Sequence, residues 1–253
     1  MPNRLEVLFT PAEFEAVRNR DLRQTVCVVF DVLRATSTFV TALAHEAAAI
    51  VPVAEVAEAL EWRRRRPGCL LAGERQGRRI GAALTGGVEF DLGNSPREFT
   101  AERVAGKTIV STTTNGTRAL RACAAAKTVA IGSFLNLTPT AGFVSRQPGA
   151  DLLLVCAGTG NGAALEDTLA AGAFCEQLLS LGPGLEPFDS AEIARRVYRQ
   201  AQPDLMAAAR RSQNARHLLA EPGLGDDVAF CLHVDSVPLV AILGTDGAIR
   251  KGS

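Results

Sequence analysis

The stretch KTIVSTTTNGTRAL, residues 107–120, contains the end of a strand, a polar turn and the start of a helix. Residues 107–110 have the short apolar pattern of a buried strand, and residues 117–120 begin a helical run. Turn and cap residues lie between them, namely Ser111, Thr112, Thr113, Thr114, Asn115 and Gly116. The N–H groups and hydroxyls of such a turn favour an anion, and Arg118 adds a planar cation suited to a phosphate or sulfonate. A capped helix start with an arginine that faces solvent explains the same residues equally well.

The same order of strand, turn and helix recurs along the first two thirds of the chain. Residues 25–30, TVCVVF, form a continuous apolar run that is typical of a strand buried on both faces. Asp31 and Arg34 follow this strand, and Thr36 and Ser37 lie where the next helix begins. Further strands are expected at residues 5–9, 49–53, 69–72, 128–131 and 151–155, and helices at 11–17, at 55–65, after Thr138, and around Glu166 and Asp167. This alternation predicts an α/β fold, with a largely parallel or mixed sheet and helices on both of its faces.

Two later segments depart from this alternation. Residues 77–95 are rich in glycine and have no helical period, as in functional or mobile loops, and Ser95 and Pro96 then begin a helix to about residue 104. In the C-terminal third, residues 189–200, 205–219 and 226–232 predict amphipathic helices, and residues 237–250 predict a closing hairpin. We interpret this helical part as a lid or packing layer, with Asp227 and Asp235 as its candidate site carboxylates. The chain, residues 1–253, is expected to form a single α/β domain or two closely packed lobes.

The composition favours a protein that acts on a small molecule. Lys plus Arg and Asp plus Glu both number 27, so the overall charge gives no reason to expect a nucleic-acid or membrane partner. The six cysteines form no CxxC pair and lie mostly in apolar runs, as reduced thiols in the cytoplasm do. No window approaches about 18 uninterrupted apolar residues, and the charged N-terminal segment is unlike a signal peptide. We therefore expect a soluble protein with a cytoplasmic localisation.

Polar groups follow four of the predicted strands. They are Asp31 with Arg34, Gly73 with Glu74, the turn at residues 112–118, and residues 158–167. Because the carboxyl ends of parallel strands share one edge of a sheet, the four groups are expected to converge there. Anion donors beside the carboxylates of Asp31, Glu74 and Glu166 or Asp167 suit a phosphate bridged to Mg²⁺. Structural alternatives exist, since Glu166 and Asp167 could complement a helix dipole and Glu74 could pair with a nearby arginine.

Several longer motifs resemble those of a known family. They are FDVLRATST at residues 30–38, Gly73 with Glu74, FDLGNSP at 90–96 and TTTNGTR at 112–118, extended by GSFLN at 132–136, CAG at 156–158 and LED at 165–167. In this order they resemble the 2-phosphosulfolactate phosphatase family over most of the chain. The resemblance implies a Mg²⁺-dependent homodimer that converts 2-phospho-3-sulfolactate to 3-sulfolactate on the route to coenzyme M. The sequence departs from the family pattern at Glu89 and at residues 82–87, which look like an insertion.

We therefore expect metal-assisted hydrolysis of a small phosphomonoester. Asp31 and Glu74, with Glu166 or Asp167, are expected to hold Mg²⁺, and Asp31, Asp167 and Arg34 to act in catalysis. The expected substrate-binding residues are Arg34, Thr36, Ser37, Asn94, Ser95, Thr112, Thr113, Thr114, Asn115, Gly116 and Arg118. Several alternatives stay open: which acid orients the attacking water, Cys156 as a nucleophile, another phosphorylated hydroxy acid as the substrate, and a non-catalytic anion-binding protein. His45, His217 and His233 are interpreted as structural or surface residues.

Overall fold

The computed structural model describes residues 3–147, 149–181 and 184–252. Within these residues, eleven strands form one mixed sheet in the order β5-β4-β6-β3-β11-β10-β7-β2-β8-β1-β9. The strands are β1 (Asn3–Leu8), β2 (Thr25–Phe30), β3 (Ala49–Pro52), β4 (Leu70–Arg75), β5 (Arg78–Arg79), β6 (Thr108–Thr112), β7 (Thr128–Gly132), β8 (Asp151–Cys156), β9 (Leu185–Pro187), β10 (Ala241–Leu243) and β11 (Ile249–Lys251). The predicted α/β class is confirmed.

Helices connect these strands and make up most of the C-terminal third. They are α1 (Pro11–Val17), α2 (Ala35–Ala44), α3 (Val56–Arg65), α4 (Ala82–Thr85), α5 (Ala101–Val104), α6 (Gly116–Ala122), α7 (Leu137–Ser145), α8 (Leu165–Ser180), α9 (Asp189–Ala201), α10 (Leu205–Ala209), α11 (Gln213–Ala220) and α12 (Gly225–Cys231). Short 3₁₀ turns lie at Pro96–Glu98, Phe134–Asn136 and Gln202–Asp204. None of the described helices is long and apolar enough to cross a membrane.

The sheet contains two groups of parallel strands that run in opposite directions. Strands β4, β6 and β3 are parallel to one another, and so are β7, β2, β8, β1 and β9. The hairpin of β10 and β11 pairs antiparallel with β7 on one side and with β3 on the other. The predicted closing hairpin is thus confirmed, and it joins the two groups at the middle of the sheet.

The central strands bury side chains on both faces of the sheet. Val28 of β2 and Leu154 of β8 pack with α7, α8 and α9, whereas their neighbours Val29 and Val155 pack with α1, α2 and α6. This arrangement explains the continuous apolar runs of β2 and β8, because a strand covered on both faces has no polar side. On the other group of strands, α3 covers the face formed by β3, β4 and β6.

Some predicted helices are divided in the structure. Residues 205–219 form two helices, α10 and α11, because the Ser212 hydroxyl accepts a hydrogen bond from Ala215 N and begins a new helix there. Residues 96–104 form a 3₁₀ turn followed by α5, with the buried Phe99 between them. Strand β9 was absent from the prediction, since three residues that include Pro187 carry almost no periodic signal.

Candidate active site

A cavity of about 300 Å³ lies where several strand ends meet. Its wall includes residues that follow β2, β6 and β8, the end of β4 with the turn after it, and one face of α11. The lining residues are Asp31, Leu33, Arg34, Glu74, Gln76, Gly77, Asn94, Thr114, Asn115, Gly158, Thr159, Gly160, Gln213, Asn214, His217 and Leu218. The structure therefore brings together residues from all four polar groups that the sequence places after strands.

The strand ends meet although the two strand groups run in opposite directions. In a flat sheet, β2 and β6 would be about 24 Å apart, because five strand spacings of about 4.8 Å separate them. However, a Cβ atom added to Gly116, at the start of α6, would collide with Oδ2 of Asp31, which follows β2. Residues of both groups pack against α2 and α6 in one core cluster, so the sheet bends around these helices. The four polar groups therefore converge as expected, but the expected cause was wrong. They meet because the sheet bends, and not because all of its strands run parallel.

Asp31 connects the end of β2 to the start of α2. Its Oδ1 accepts a hydrogen bond from Ala35 N at 3.2 Å, and its backbone N–H donates to Thr36 Oγ1 at 3.1 Å. Burial, with the charges of Glu74 and Glu166, raises the pKa of Asp31 to about 7, although the Ala35 N–H opposes this shift. Asp31 can therefore exchange a proton near neutral pH.

Glu74 is held against the turn that precedes α6. Its Oε1 accepts hydrogen bonds from Thr114 N at 2.9 Å and from Thr114 Oγ1 at 2.8 Å, and its Oε2 accepts one from Gly77 N at 2.8 Å. The anticipated pairing of Glu74 with a nearby arginine side chain does not occur among the described residues. These contacts fix the carboxylate on the cavity wall. The Thr114 N–H, which was expected to face an anion, donates to Glu74 instead.

Arg34 is a buried cation on the same wall. Only 3% of its side chain is exposed, yet it lines the cavity. Its Nη1 donates to Asp227 Oδ2 at 2.8 Å, and its Nη2 donates to the Gly77 carbonyl at 2.6 Å. A guanidinium has five N–H donors, so these two bonds orient Arg34 and leave donors for a ligand.

Asn115 and Asp167 organise the loop that follows β8. Asn115 Nδ2 donates to the carbonyls of Gly158 and Gly160 at 3.0 and 3.1 Å. Asp167 does not line the cavity, because its two carboxylate oxygens accept hydrogen bonds from Val32 N at 2.8 Å and Gly158 N at 3.1 Å. Burial and the charges of Glu166 and Asp31 raise the pKa of Asp167 well above its usual range. Asp167 thus joins the loops after β2 and β8 behind the cavity wall.

Glu166 has one carboxylate oxygen without a partner. Its Oε1 accepts a 2.6 Å hydrogen bond from Asn214 Nδ2, whereas its Oε2 is buried and has no hydrogen bond within the described residues. Burial raises the pKa of this fully buried carboxyl group. Asn214 also donates to Thr159 Oγ1 at 2.8 Å and lines the cavity. The Asn214 side chain therefore links Glu166 to the cavity wall.

The donor set fits a magnesium ion that takes few protein ligands. No three His, Cys, Asp or Glu side chains of the described chain surround a point that could hold a metal ion. Mg²⁺ commonly takes one or two carboxylates and completes its shell with water and substrate oxygens. In the part of the chain that the structure describes, Asp31 Oδ2 and Glu166 Oε2 are the carboxylate oxygens near the cavity without hydrogen bonds. The four-carboxylate set stays a prediction.

Several predicted substrate-binding residues lie outside the cavity wall. Arg118 pairs with Glu15 at 3.0 Å and lies over the ring of Phe14, so its position does not favour an anion-binding role. Others stabilise the surrounding turns: the Ser37 hydroxyl donates to Val32 O, the Ser95 hydroxyl to Asp227 and the Thr112 hydroxyl to Ala54 O. Among the predicted set, the residues that line the cavity are Arg34, Asn94, Thr114 and Asn115.

Comparisons with known proteins show the family to which the chain is related. Residues 11–246 match the family described as 2-phosphosulpholactate phosphatase. The chain belongs to this family. It is 39% identical to a probable 2-phosphosulfolactate phosphatase of Caldanaerobacter subterraneus subsp. tengcongensis, over 96% of this chain and 97% of that protein. Proteins with the same description from Caldicellulosiruptor saccharolyticus and Thermotoga petrophila are 35% and 39% identical, over 92% and 85% of this chain and 95% and 88% of their own lengths.

The two departures from the family pattern occur together on the outside of the molecule. The inserted residues form α4, and Glu89 Oε1 accepts a hydrogen bond from Ala82 N at the first turn of that helix. Neither Glu89 nor any residue of α4 lines the cavity. The ends of the same glycine-rich loop, Gly77 and Asn94, do line it. Both departures therefore lie away from the cavity wall.

Helix α11 contributes residues that the sequence did not identify. Gln213, Asn214 and His217 line the cavity, and His217 Nε2 lies 3.1 Å from the Gln76 carbonyl. The sequence predicts a structural or surface role for His217, and a lid or packing layer that includes residues 205–219. The only sequence signal here was a pair of amides after a serine cap, which is common in ordinary helices. Asp235, the other carboxylate considered for the site, accepts hydrogen bonds from Thr138 at the start of α7.

Cys156 lies at the end of β8 without access to the cavity. Its side chain is fully buried, and burial raises the pKa of its thiol well above the usual value. A thiolate is the nucleophilic form of cysteine, so this environment opposes nucleophilic catalysis. The position of Cys156 therefore does not favour a covalent cysteine intermediate.

Proposed function

We propose that the chain hydrolyses the phosphomonoester of 2-phospho-3-sulfolactate to 3-sulfolactate and phosphate. The observation that carries this proposal is the cavity of about 300 Å³ lined by Asp31, Glu74 and Arg34, in a chain of the 2-phosphosulfolactate phosphatase family. A cavity of this size suits a small substrate. We extend the proposal to a cytoplasmic homodimer on the route to coenzyme M, as the family resemblance implies.

The charges of the site support a requirement for Mg²⁺. Asp31 and Glu74 line the cavity, Glu166 lies behind it, and Arg34 is already paired with Asp227. These carboxylates would repel a phosphate dianion unless a cation lay between them. We assign Asp31 and Glu166 as the residues that would hold Mg²⁺, because each has an oxygen free of hydrogen bonds within the described chain. When bound, Mg²⁺ would withdraw negative charge from the phosphoryl oxygens.

The remaining residues of the wall bind and orient the reactants. Arg34 donates its free N–H groups to the phosphoryl oxygens, where a planar guanidinium is well matched. Glu74, which three hydrogen bonds hold in place, orients the attacking water and accepts its proton. The new oxygen–phosphorus bond forms as the ester oxygen leaves, and that oxygen takes a proton from solvent. Asn94 and Asn115 supply further polar groups on the wall.

Phosphate release from 2-phosphosulfolactate tests the proposal. The purified chain is assayed with Mg²⁺ and with EDTA, beside other phosphorylated hydroxy acids. We expect release from 2-phosphosulfolactate that EDTA abolishes and Mg²⁺ restores. Release only from another phosphorylated hydroxy acid would replace the substrate and keep the chemistry. A folded protein that releases phosphate from none of them would point instead to an anion-binding protein of the same fold.

A further inference from the structure

A second hollow lies beside the cavity and shares part of its wall. Its volume is about 500 Å³, and Arg34, Gly77 and Asn94 line both spaces. The other residues around it are Arg78, Arg79, Gly93, Glu98, Glu221, Pro222 and Leu224. The two spaces are therefore neighbours that share the part of the wall formed by these three residues. A ligand with two anionic groups could occupy both at once.

Arg79 lies directly beside the active-site carboxylate Glu74. The two residues are opposite partners in the antiparallel pairing of β4 and β5. Opposite residues on neighbouring strands project to the same face of a sheet, with Cβ atoms about 5 Å apart. The Cβ atom of Arg79 also lies close to Gly93, the residue before Asn94, since a Cβ atom added to Gly93 would be 3.5 Å from it. Arg79 thus lines the hollow, and its strand partner Glu74 lines the cavity.

Arg79 is the cation of the hollow that other residues leave available. Arg78 pairs with Glu221 at 3.0 Å, and Arg34 pairs with Asp227. Glu98, the other carboxylate of the hollow, accepts a hydrogen bond from Gly93 N at 3.0 Å. Arg79 is exposed and forms no side-chain hydrogen bond or ion pair with any described residue. Its five donors are free for a ligand.

We propose that the hollow binds one of the two anionic groups of the substrate that are not hydrolysed, the sulfonate or the carboxylate, and that Arg79 is the specificity-determining residue. This inference rests on the proposed function, because it assigns the second end of the same substrate. The carboxylates Asp31 and Glu74 repel any further anion from the cavity itself, whereas the hollow contains Arg79, a cation without an ion-pair partner among the described residues. The ligand group is a sulfonate or carboxylate attached near the phosphoester carbon, and a guanidinium binds either through paired N–H donors.

Three substrates separate the two anionic groups. They are 2-phospho-3-sulfolactate, 2-phospholactate, which lacks the sulfonate, and the phosphate ester of 2-hydroxyethanesulfonate, which lacks the carboxylate. We expect Arg79→Ala to lower kcat/KM for 2-phosphosulfolactate about 10- to 100-fold, mainly through KM, because one charge-assisted interaction is lost. Arg79→Ala should leave kcat/KM unchanged for one of the two smaller substrates. The group that this substrate lacks is then the group that Arg79 binds.

Two further variants control for charge and for folding. Arg79→Lys retains the cation and is expected to lose less than Arg79→Ala. Arg146→Ala removes another exposed arginine, at the end of α7, which lines neither space, and its kcat/KM values should equal those of the wild type. Equal losses for all three substrates, or no loss for any, would overturn the role of Arg79. A wild-type protein that is inactive on all three would instead overturn the proposed function.

Discussion

At the scale of single residues, the charge of Asp31 depends on its surroundings. Its pKa rises from 3.8 to about 7, chiefly because it is buried and also because Glu74 and Glu166 are near. Between these two pH values the unfolded chain has lost the proton that the folded chain still holds. The folded state is therefore destabilised as the pH rises from about 4 to about 7. A bound cation would remove this penalty, which is consistent with the proposed magnesium site.

The stability of the metal-free protein should show this dependence. In EDTA, the free energy of unfolding of the wild type, relative to that of Asp31→Asn, is expected to fall between pH 4 and 7. The slope is at most about 1.4 kcal/mol per pH unit for one group. Urea unfolding across this range measures it for both proteins. The raised pKa would be contradicted if the difference in the free energy of unfolding between the two proteins stayed constant, or if the wild type became relatively more stable as the pH rises.

Gly116 allows the strand ends to approach each other. A Cβ atom at this position would collide with Asp31 Oδ2 and lie 2.9 Å from Ala35 Cβ. We expect Gly116→Ala to lower kcat about tenfold or more by displacing the carboxylate. It should also destabilise the fold by about 1–3 kcal/mol. Phosphate release and thermal unfolding measure the two effects.

Gly142→Ala is the matched control for this substitution. Gly142 also lies in a helix, α7, but an added Cβ would meet only Arg146 Nη1 at an ordinary 3.7 Å. Alanine favours helices over glycine by up to about 1 kcal/mol, so this variant should be fully active and slightly more stable. Equal behaviour of the two variants would show that the space at Gly116 has no special importance.

At the scale of the elements, α12 is connected to the site through a buried carboxylate. Asp227 is fully buried and accepts hydrogen bonds from Arg34 Nη1 and Ser95 Oγ, both at 2.8 Å. Three segments that are far apart in the sequence therefore meet at one side chain. The C-terminal helices form part of the site rather than a separate layer over it.

Removing Asp227 should be far more costly than removing its neighbour. Asp227→Ala leaves the Arg34 guanidinium buried without its partner, which typically costs about 3–5 kcal/mol. Asp226→Ala removes a carboxylate that is 83% exposed and lies 3.3 Å from Arg97, so it should cost less than about 1 kcal/mol. Urea midpoints of the two variants provide the comparison. Similar midpoints would mean that the buried pair contributes little to the fold.

The elements themselves could be predicted where their local signals are strong. Helix Pro11–Val17 and strand Thr25–Phe30 occur at the predicted bounds, because proline at a helix start and an unbroken β-branched run depend on local chemistry alone. The break between α10 and α11 could not be predicted, because a cap at Ser212 competes with a helical pattern that continues on both sides. Where a cap and a helical pattern compete in this way, tertiary contacts determine whether the helix continues or breaks.

At the scale of the whole molecule, the C-terminal hairpin determines how the strand groups are joined. Its strands are three residues long, and among the described residues its strand pairing with β3 consists of Ile249 opposite Ile50. Such short pairings leave no period in the sequence from which strand order or direction could be read. For the same reason, the polar residues after strands could be named from the sequence, but the contribution of α11 to the cavity could not.

The hairpin should be essential for stability in spite of its length. Ile249 is fully buried within the core cluster that also contains α2 and α6. We expect Ile249→Ala to cost about 2–5 kcal/mol, as large-to-small changes in cores do. Leu84→Ala, at a side chain that is 63% exposed, should change stability by no more than about 0.5 kcal/mol. A small cost at Ile249 in thermal or urea unfolding would mean that the two strand groups hold together without the hairpin.

The most direct test of the whole account is the rate of phosphate release from 2-phosphosulfolactate by the wild type and Asp31→Asn at saturating Mg²⁺. Asparagine keeps the shape of the side chain but removes the negative charge that we propose binds Mg²⁺. We expect Mg²⁺-dependent turnover by the wild type and a loss of about 100- to 10,000-fold in the folded variant. Near-normal turnover by Asp31→Asn would contradict the assignment of the metal site, and an inactive wild type would contradict the function.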